Sequence, residues 1–285
     1  MAKALASGAT ASPRESLAAI LAVERIREGE FTARLEDFFG SSLGGDALAR
    51  AALAAAESCE GKELHALHAS FLRPIPPSAP LTLLVERLAD DGPVACRQVC
   101  IRDRDLLCQV TARFGLPGDG PSYQDVRLDS LWTQPEELPS TIEQARAEGW
   151  ADYARGPIEF RRFGSWPRRP EESYSHVEWM RPRMPLPNDP RIHMAALVFL
   201  SDFYSQWACE RRIGPTFAHD RFRPLDQTLW IHRSIRWDDW LLLKAVSEIG
   251  HAGRALARRE IYTRDGQLVA SAAQEAYVAS HARSA

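Results

Sequence analysis

Two polar residues in the second half of the chain interrupt otherwise apolar patterns, and their side chains are a proton acceptor and an amide. Asp202 lies within the helical stretch MAALVFLSDFYSQW, where a buried carboxylate must be paired or hydrogen-bonded to offset its loss of hydration. Gln274 is the one polar residue among the alternate positions from 268 to 278, which are otherwise Leu, Ala and Val. The interruption at Gln274 favours a functional site, whereas the pattern at Asp202 fits a functional and a structural residue equally. Two structural alternatives remain open, because Asp202 could face water at the helix edge and backbone groups could satisfy Gln274.

A third candidate lies on the strand-like run 226–234. One face of this run carries Asp226, Thr228, Trp230, His232 and Ser234. Thr228 could supply a hydroxyl, although threonine is also common in strands for structural reasons. The sequence offers no Ser-His-Asp or Cys-His set with an orienting residue and no G-x-G-x-x-G loop, so neither nucleophilic catalysis nor phosphate binding by such a loop is indicated.

The elements that must position these residues occur twice along the chain. The first set is a helical stretch at 42–57 followed by strand-like runs at 64–72, 81–89, 94–102 and 106–114. The second set is a helical stretch at 192–209 followed by runs at 226–234, 240–248, 254–263 and 267–278. The segment that starts at Ile101 aligns with the one that starts at Thr263, which places Ala112 where the second copy has Gln274. The pattern predicts two unequal copies of one domain.

A helix followed by four antiparallel strands predicts a sheet wrapped around a helix in each half, and two such sheets can pair edge to edge. We expect the second long helix to run without interruption from Arg191 to about Arg211, with Asp189 as its N-cap. A further helix is expected from Thr141 to Ala154, capped by Ser140. The predicted domains are 14–115 and 154–285, joined by a linker at 116–153.

Composition narrows the classes of partner. The net charge of −3 with mixed signs does not indicate nucleic-acid binding. Five cysteines without metal-binding spacing, and an amino terminus without a continuous apolar segment, favour a cytoplasmic protein with reduced thiols. No stretch approaches the roughly 20 apolar residues of a membrane span. We expect no metal, no cofactor and no membrane partner.

Several segments resemble the acyl-CoA thioesterase II enzymes. The resemblance rests on LHALHASFLRP (64–74), LSDF (200–203), LDQTLWIHRSIRWDDWLLL (225–243) and RDGQLVASAAQEAYV (264–278). These segments lie in both halves and in the family's order. The resemblance implies an α+β double hotdog fold, hydrolysis of fatty acyl-CoA to free acid and CoA, and a homo-oligomer, either a dimer or a tetramer.

The resemblance also implies catalytic residues that orient an attacking water: an Asp at Asp202, a Gln at Gln274, and a Ser or Thr at a position that is Pro224 here. Proline has no hydroxyl. Thr228 is the candidate replacement, although four residues of strand separate it from Pro224, about 13 Å at ~3.3 Å per residue.

Three functions therefore remain open from the sequence. The first is an acyl-CoA thioesterase with one site in the second half. The second is an acyl-CoA-binding hotdog protein that has lost hydrolysis, which Pro224 favours. The third is a hotdog enzyme for another thioester, such as a hydratase or a polyketide-type thioesterase.

Overall fold

The computed structural model describes most of the chain, namely residues 16–35, 44–76, 80–126, 132–147, 156–164, 174–214 and 222–278. The helices are α1 (Leu17–Ile20), α2 (Gly44–Ala56), α3 (Thr141–Ala147), α4 (Pro190–Ser201) and α5 (Ser205–Ile213). The strands of the first half are β1 (Glu24–Arg27), β2 (Glu30–Arg34), β3 (Glu63–Phe71), β4 (Pro80–Asp91), β5 (Val94–Arg102) and β6 (Leu106–Gly115). Those of the second half are β7 (Ile158–Arg162), β8 (His176–Pro182), β9 (Arg223–Pro224), β10 (Asp226–Ile231), β11 (Leu241–His251), β12 (Arg254–Thr263) and β13 (Leu268–Tyr277).

The strands of the two halves form one continuous antiparallel sheet. Its order is β1-β2-β4-β5-β6-β3-β10-β13-β12-β11-β8-β7, with β9 added on β13. The halves join where β3 pairs with β10, and at this junction Thr228 lies opposite His68. The prediction that the two sheets pair edge to edge is confirmed, and the pairing leaves neither half with an open edge at the junction.

The long helices lie on the inner face of this sheet. α2 is Ala-rich and buried from Gly45 to Ala56, and it contacts β3, β4, β5 and β6. Small side chains allow such close approach to a sheet. α2 also packs against α4 in antiparallel orientation, since Gly45 at the start of α2 contacts Asp202 just after α4 and Arg191 near the start of α4 contacts Glu57.

The second long helix is interrupted, which corrects the prediction of one helix from Arg191 to Arg211. α4 ends at Ser201, Asp202 is its C-cap, and Tyr204 adopts a left-handed conformation with φ of 64° before α5 begins. The Tyr204 ring lies against His176 at 4.1 Å between centroids and against Trp207 at 5.9 Å. Aromatic packing from the tertiary structure therefore holds a backbone conformation that the apolar pattern did not reveal.

Other local predictions are confirmed where the structure describes them. Asp189 caps α4 through the backbone N–H of Arg191. Ser140 forms a reciprocal capping pair with Glu143 at the start of α3. The predicted continuation of α3 to Ala154 lies outside the described residues. Within the described residues, no helix is long and apolar enough to cross a bilayer.

Candidate active site

Asp202 joins the two halves of the chain through both of its carboxylate oxygens. Its Oδ2 accepts a hydrogen bond of 2.8 Å from the backbone N–H of Gly45, at the start of α2. Its Oδ1 accepts a hydrogen bond of 2.7 Å from Nε2 of Gln274 on β13. The side chain is only 8% exposed. The partial positive charge at the amino end of a helix stabilises an anion in this position, so the loss of hydration is offset and the solvent-facing alternative for Asp202 is excluded.

Two glycines permit this approach of α2 to Asp202. A Cβ on Gly45 would lie 2.6 Å from the Cβ of Asp202 and 2.7 Å from the carbonyl oxygen of Phe199. A Cβ on Gly44 would lie 2.8 Å from the ring of Phe71. A side chain at either position would displace its neighbours, and at Gly45 those neighbours are a Cβ and a backbone oxygen, so close packing at the site requires glycine at that position.

Gln274 is held by a directed chain of hydrogen bonds. Its Nε2 also donates to Oε1 of Gln227 at 2.8 Å. Nε2 of Gln227 donates to Oγ of Ser201 at 3.0 Å, and this hydroxyl donates to the carbonyl oxygen of Val198 at 2.7 Å. Because the Asp202 carboxylate and the Val198 carbonyl can only accept, the donors run outward from the NH₂ group of Gln274, with one hydrogen directed to Asp202 and the other to Gln227.

This arrangement of donors leaves one acceptor of Gln274 unused. Oε1 of Gln274 is buried and has no hydrogen-bond partner among the described residues. An unsatisfied buried carbonyl oxygen costs free energy. A donor from outside the protein, such as a water molecule beside the Asp202 carboxylate, would satisfy it.

The structure does not bring Thr228 into this group. Side chains alternate across a strand, and on β10 the buried Gln227 and Leu229 face the helices. Thr228 faces the other side of the sheet, where its hydroxyl contacts Nδ1 of His68 at 3.2 Å. Pro224 lies on β9 opposite Ala276 and supplies no hydroxyl.

Gln227 was missed by the sequence analysis although the same signal was present. The alternate positions 227, 229 and 231 are Gln, Leu and Ile. A single glutamine thus interrupts an apolar face of β10, just as Gln274 interrupts the inner face of β13.

A buried cation lies near the site. Arg259 occupies the inner face of β12 between Ala245 and Ala272, is 1% exposed, and has no hydrogen-bond partner on any guanidinium nitrogen within the described part of the chain. Burial lowers its pKa to about 10, and the Asp202 carboxylate opposes that shift. The guanidinium is still protonated at neutral pH, so it adds positive potential beside the site.

The two halves of the sequence match two domain families, the first half an N-terminal domain and the second half a C-terminal domain. "Acyl-CoA thioesterase N-terminal domain" covers residues 39–115. "Acyl-CoA thioesterase C-terminal domain" covers residues 127–278, which include Asp202, Gln227 and Gln274.

Individual proteins and solved structures support the same family. Acyl-CoA thioesterase 2 of Haemophilus influenzae is 27% identical over 279 residues, a match that spans 91% of this chain and 95% of that protein. The crystal structure of an acyl-CoA thioesterase II from Mycobacterium marinum superposes with a TM-score of 0.75 at 26% identity and covers 92% of this chain and 96% of its own. A hotdog protein of Alicyclobacillus acidocaldarius gives a TM-score of 0.77 at 18% identity over 91% of this chain and 96% of its own. The double hotdog fold is confirmed, and the chain belongs to the acyl-CoA thioesterase II family.

Proposed function

We propose that the chain hydrolyses acyl-CoA thioesters to a free carboxylic acid and CoA, using a water molecule held between Asp202 and Gln274. The observation that carries this proposal is the buried, unused Oε1 of Gln274 beside a carboxylate that is itself fixed by Gly45. The names of the relatives support the substrate class.

Each group has a defined part in the reaction. Every carboxylate oxygen has two acceptor positions, so Asp202 can accept a proton from water while it keeps its bonds to Gly45 and Gln274. Oε1 of Gln274 accepts the second hydrogen of that water and orients its lone pair. The first turn of α2 contains backbone N–H groups without intrahelical acceptors, which can stabilise negative charge on the thioester carbonyl oxygen.

The atoms balance without another reactant. The water oxygen forms a bond to the carbonyl carbon as its proton passes to Asp202. The bond between that carbon and sulfur then breaks, and the proton from Asp202 passes to the departing CoA thiolate. The acid and the CoA thiol are the two products.

Gln227 and Ser201 act as positioning residues in this proposal. If the amide of Gln274 rotated by half a turn, its oxygen would face the Asp202 carboxylate and repel it. The acceptor on Gln227 stabilises the productive orientation, and Ser201 fixes the amide of Gln227 in turn.

Thiol release from a panel of acyl-CoA substrates of different chain length tests the proposal. We expect Asp202→Asn and Gln274→Ala each to lower kcat by about 100-fold or more, because each removes a group that contacts the attacking water. Thr228→Val is the control, because Thr228 is one residue from Gln227 but on the outer face of the sheet. Its kcat should stay within about twofold of the wild-type value. Unchanged turnover in both site variants would refute the assignment.

An acyl-CoA-binding protein without hydrolysis is the second candidate, and Pro224 favours it because the family's hydroxyl is absent there. Calorimetry with an acyl-CoA and thiol release under the same conditions separate the two. Binding by the wild type without thiol release would support this second function.

We also propose that the protein acts in fatty acid metabolism in the cytoplasm as a homo-oligomer, either a dimer or a tetramer. All five cysteines are free thiols, which fits a reducing compartment. Sedimentation of the full chain tests the assembly, and a particle with the mass of one chain would contradict it.

A further inference from the structure

A separate cavity lies at the opposite end of the α2–α4 pair from Asp202. Its volume is about 90 Å³, well above the roughly 10–15 Å³ that one water needs. Its apolar walls are Leu64, Phe114, Met194, Leu197, Ile231 and Ile235. His193 also lines it, nine residues before Asp202 and so about 14 Å away along the helix direction.

The internal repeat relates this cavity to the hydrolytic site. α2 and α4 are antiparallel. At each end of the pair, the start of one helix therefore lies beside the end of the other. At one end Gly45 meets Asp202, and at the other Arg191 meets Glu57 with 3.2 Å between Nη1 and Oε1. The cavity is lined by Ala56 and Arg191, and therefore occupies the second of these two ends.

The sheet shows the same relationship and the loss of the hydrolytic groups. Where the second copy carries the hydrogen-bonded Gln227 and Gln274, the first copy has Leu67 opposite Ala112. The cavity therefore lies at the end of the helix pair that corresponds to the hydrolytic site, and both glutamines have apolar counterparts in the sheet of the first copy. Its apolar walls can bind an acyl chain.

His193 supplies a buried donor to this apolar space. It is 1% exposed, and its Nδ1 accepts a hydrogen bond of 3.0 Å from the backbone N–H of Trp237. A backbone N–H can only donate, so the ring hydrogen of the neutral imidazole must lie on Nε2. Nε2 has no hydrogen-bond partner among the described residues. A ligand that offers an oxygen acceptor would remove this cost.

The mouth of the cavity favours a negatively charged acceptor. Lys62, Arg191 and Arg233 line it. Arg191 is already paired with carboxylates, and the carboxylate of Glu63 at the mouth accepts a hydrogen bond from Ser234. Lys62 and Arg233 form no ion pair within the part of the chain that the structure describes, and Nε of Arg233 is a second buried donor without an acceptor there.

We propose that this cavity binds a free carboxylic acid with a short acyl chain, whose carboxylate accepts a hydrogen bond from His193 Nε2 and faces the charge of Arg233. The chain of the acid lies against the apolar walls. Such acids are also products of the proposed hydrolysis, but the inference rests on this cavity and does not require that the protein hydrolyse anything.

Hexanoate titrated into the full-length protein by calorimetry tests the proposal, with hexylamine as the probe of equal chain length and opposite charge. We expect hexanoate to bind and hexylamine not to bind. His193→Phe, which keeps a ring but removes the donor, and Arg233→Met should each weaken hexanoate binding at least tenfold. Ala56→Leu should abolish it by filling the cavity.

Asp202→Asn distinguishes the cavity from the hydrolytic site, since the affinity of this variant for hexanoate should stay within about twofold of the wild-type value. Hexanoate binding that is lost in Asp202→Asn and kept in Ala56→Leu would overturn the proposal, as would no binding to the wild type. His193→Phe also removes the acceptor for Trp237, so each variant is first checked for a native unfolding transition. Arg233 is only half-buried, and its variant keeps the test decisive if the others fail to fold. Cavity-dependent binding without thiol release from acyl-CoA would leave this inference standing and refute the proposed hydrolysis.

Discussion

Gln227 and Asp202 together fix which way the amide of Gln274 faces, because both accept hydrogen bonds from its NH₂ group. Leucine has nearly the same volume and offers no acceptor. We expect Gln227→Leu to lower kcat by about tenfold or more with little change in KM, since substrate contacts are kept while the water is misoriented. Steady-state kinetics measure kcat and KM separately, and circular dichroism checks the fold. A change confined to KM would show that Gln227 contributes to binding instead.

Arg259 is a buried charge that forms no hydrogen bond with the residues the structure describes. Methionine fills a similar volume without charge, so Arg259→Met should raise the free energy of unfolding by about 1–3 kcal/mol. The same change removes positive potential beside Asp202 and should lower kcat. Urea denaturation and thiol release measured on one preparation check both effects. A variant that is less stable and fully active would contradict the proposed role of this cation.

At the level of elements, the start of α2 must touch the end of α4. Gly45→Ala places a Cβ 2.6 Å from that of Asp202. We expect a loss of about 2 kcal/mol in stability, together with reduced hydrolysis, because the displaced helix no longer donates to Asp202. Gly250→Ala is the matched control, since its Cβ would meet only ordinary contacts, the nearest at 3.4 Å. Equal urea midpoints for the two variants would count against the close approach.

Element positions follow the sequence pattern closely, because they depend on local periodicity and turns. The run 94–102 coincides with β5 and 254–263 with β12, and the Asp-Gly turns place Gly92 and Gly266 at positive φ as expected. The interruption after Ser201 was not predicted. Its cause is the packing of Tyr204 against Phe160 and His176, which are distant in sequence and so form no part of a local pattern.

At the level of the whole molecule, the β3–β10 pairing and the α2–α4 contact make the two copies one folding unit. All eight tryptophans lie at or beyond Trp132, so tryptophan fluorescence reports only the second half, whereas circular dichroism reports both. We expect the two signals to give one coincident urea transition. Fluorescence lost at a different midpoint from the far-ultraviolet signal would show that the halves unfold separately. The domain limits at 115 and 154 stay a prediction.

The sequence by itself determined the repeat, the order of helices and strands, and the two residues, Asp202 and Gln274, that interrupt apolar faces. These properties are local, because periodicity and side-chain chemistry are fixed within a few residues of each position. Only the tertiary structure decided that Gln227 and not Thr228 joins them, since the face of β10 that meets the helices depends on pairing with β3 and β13. It alone also brought Gly45 of the first copy to Asp202 of the second, because contacts between distant segments exist only once the chain has folded.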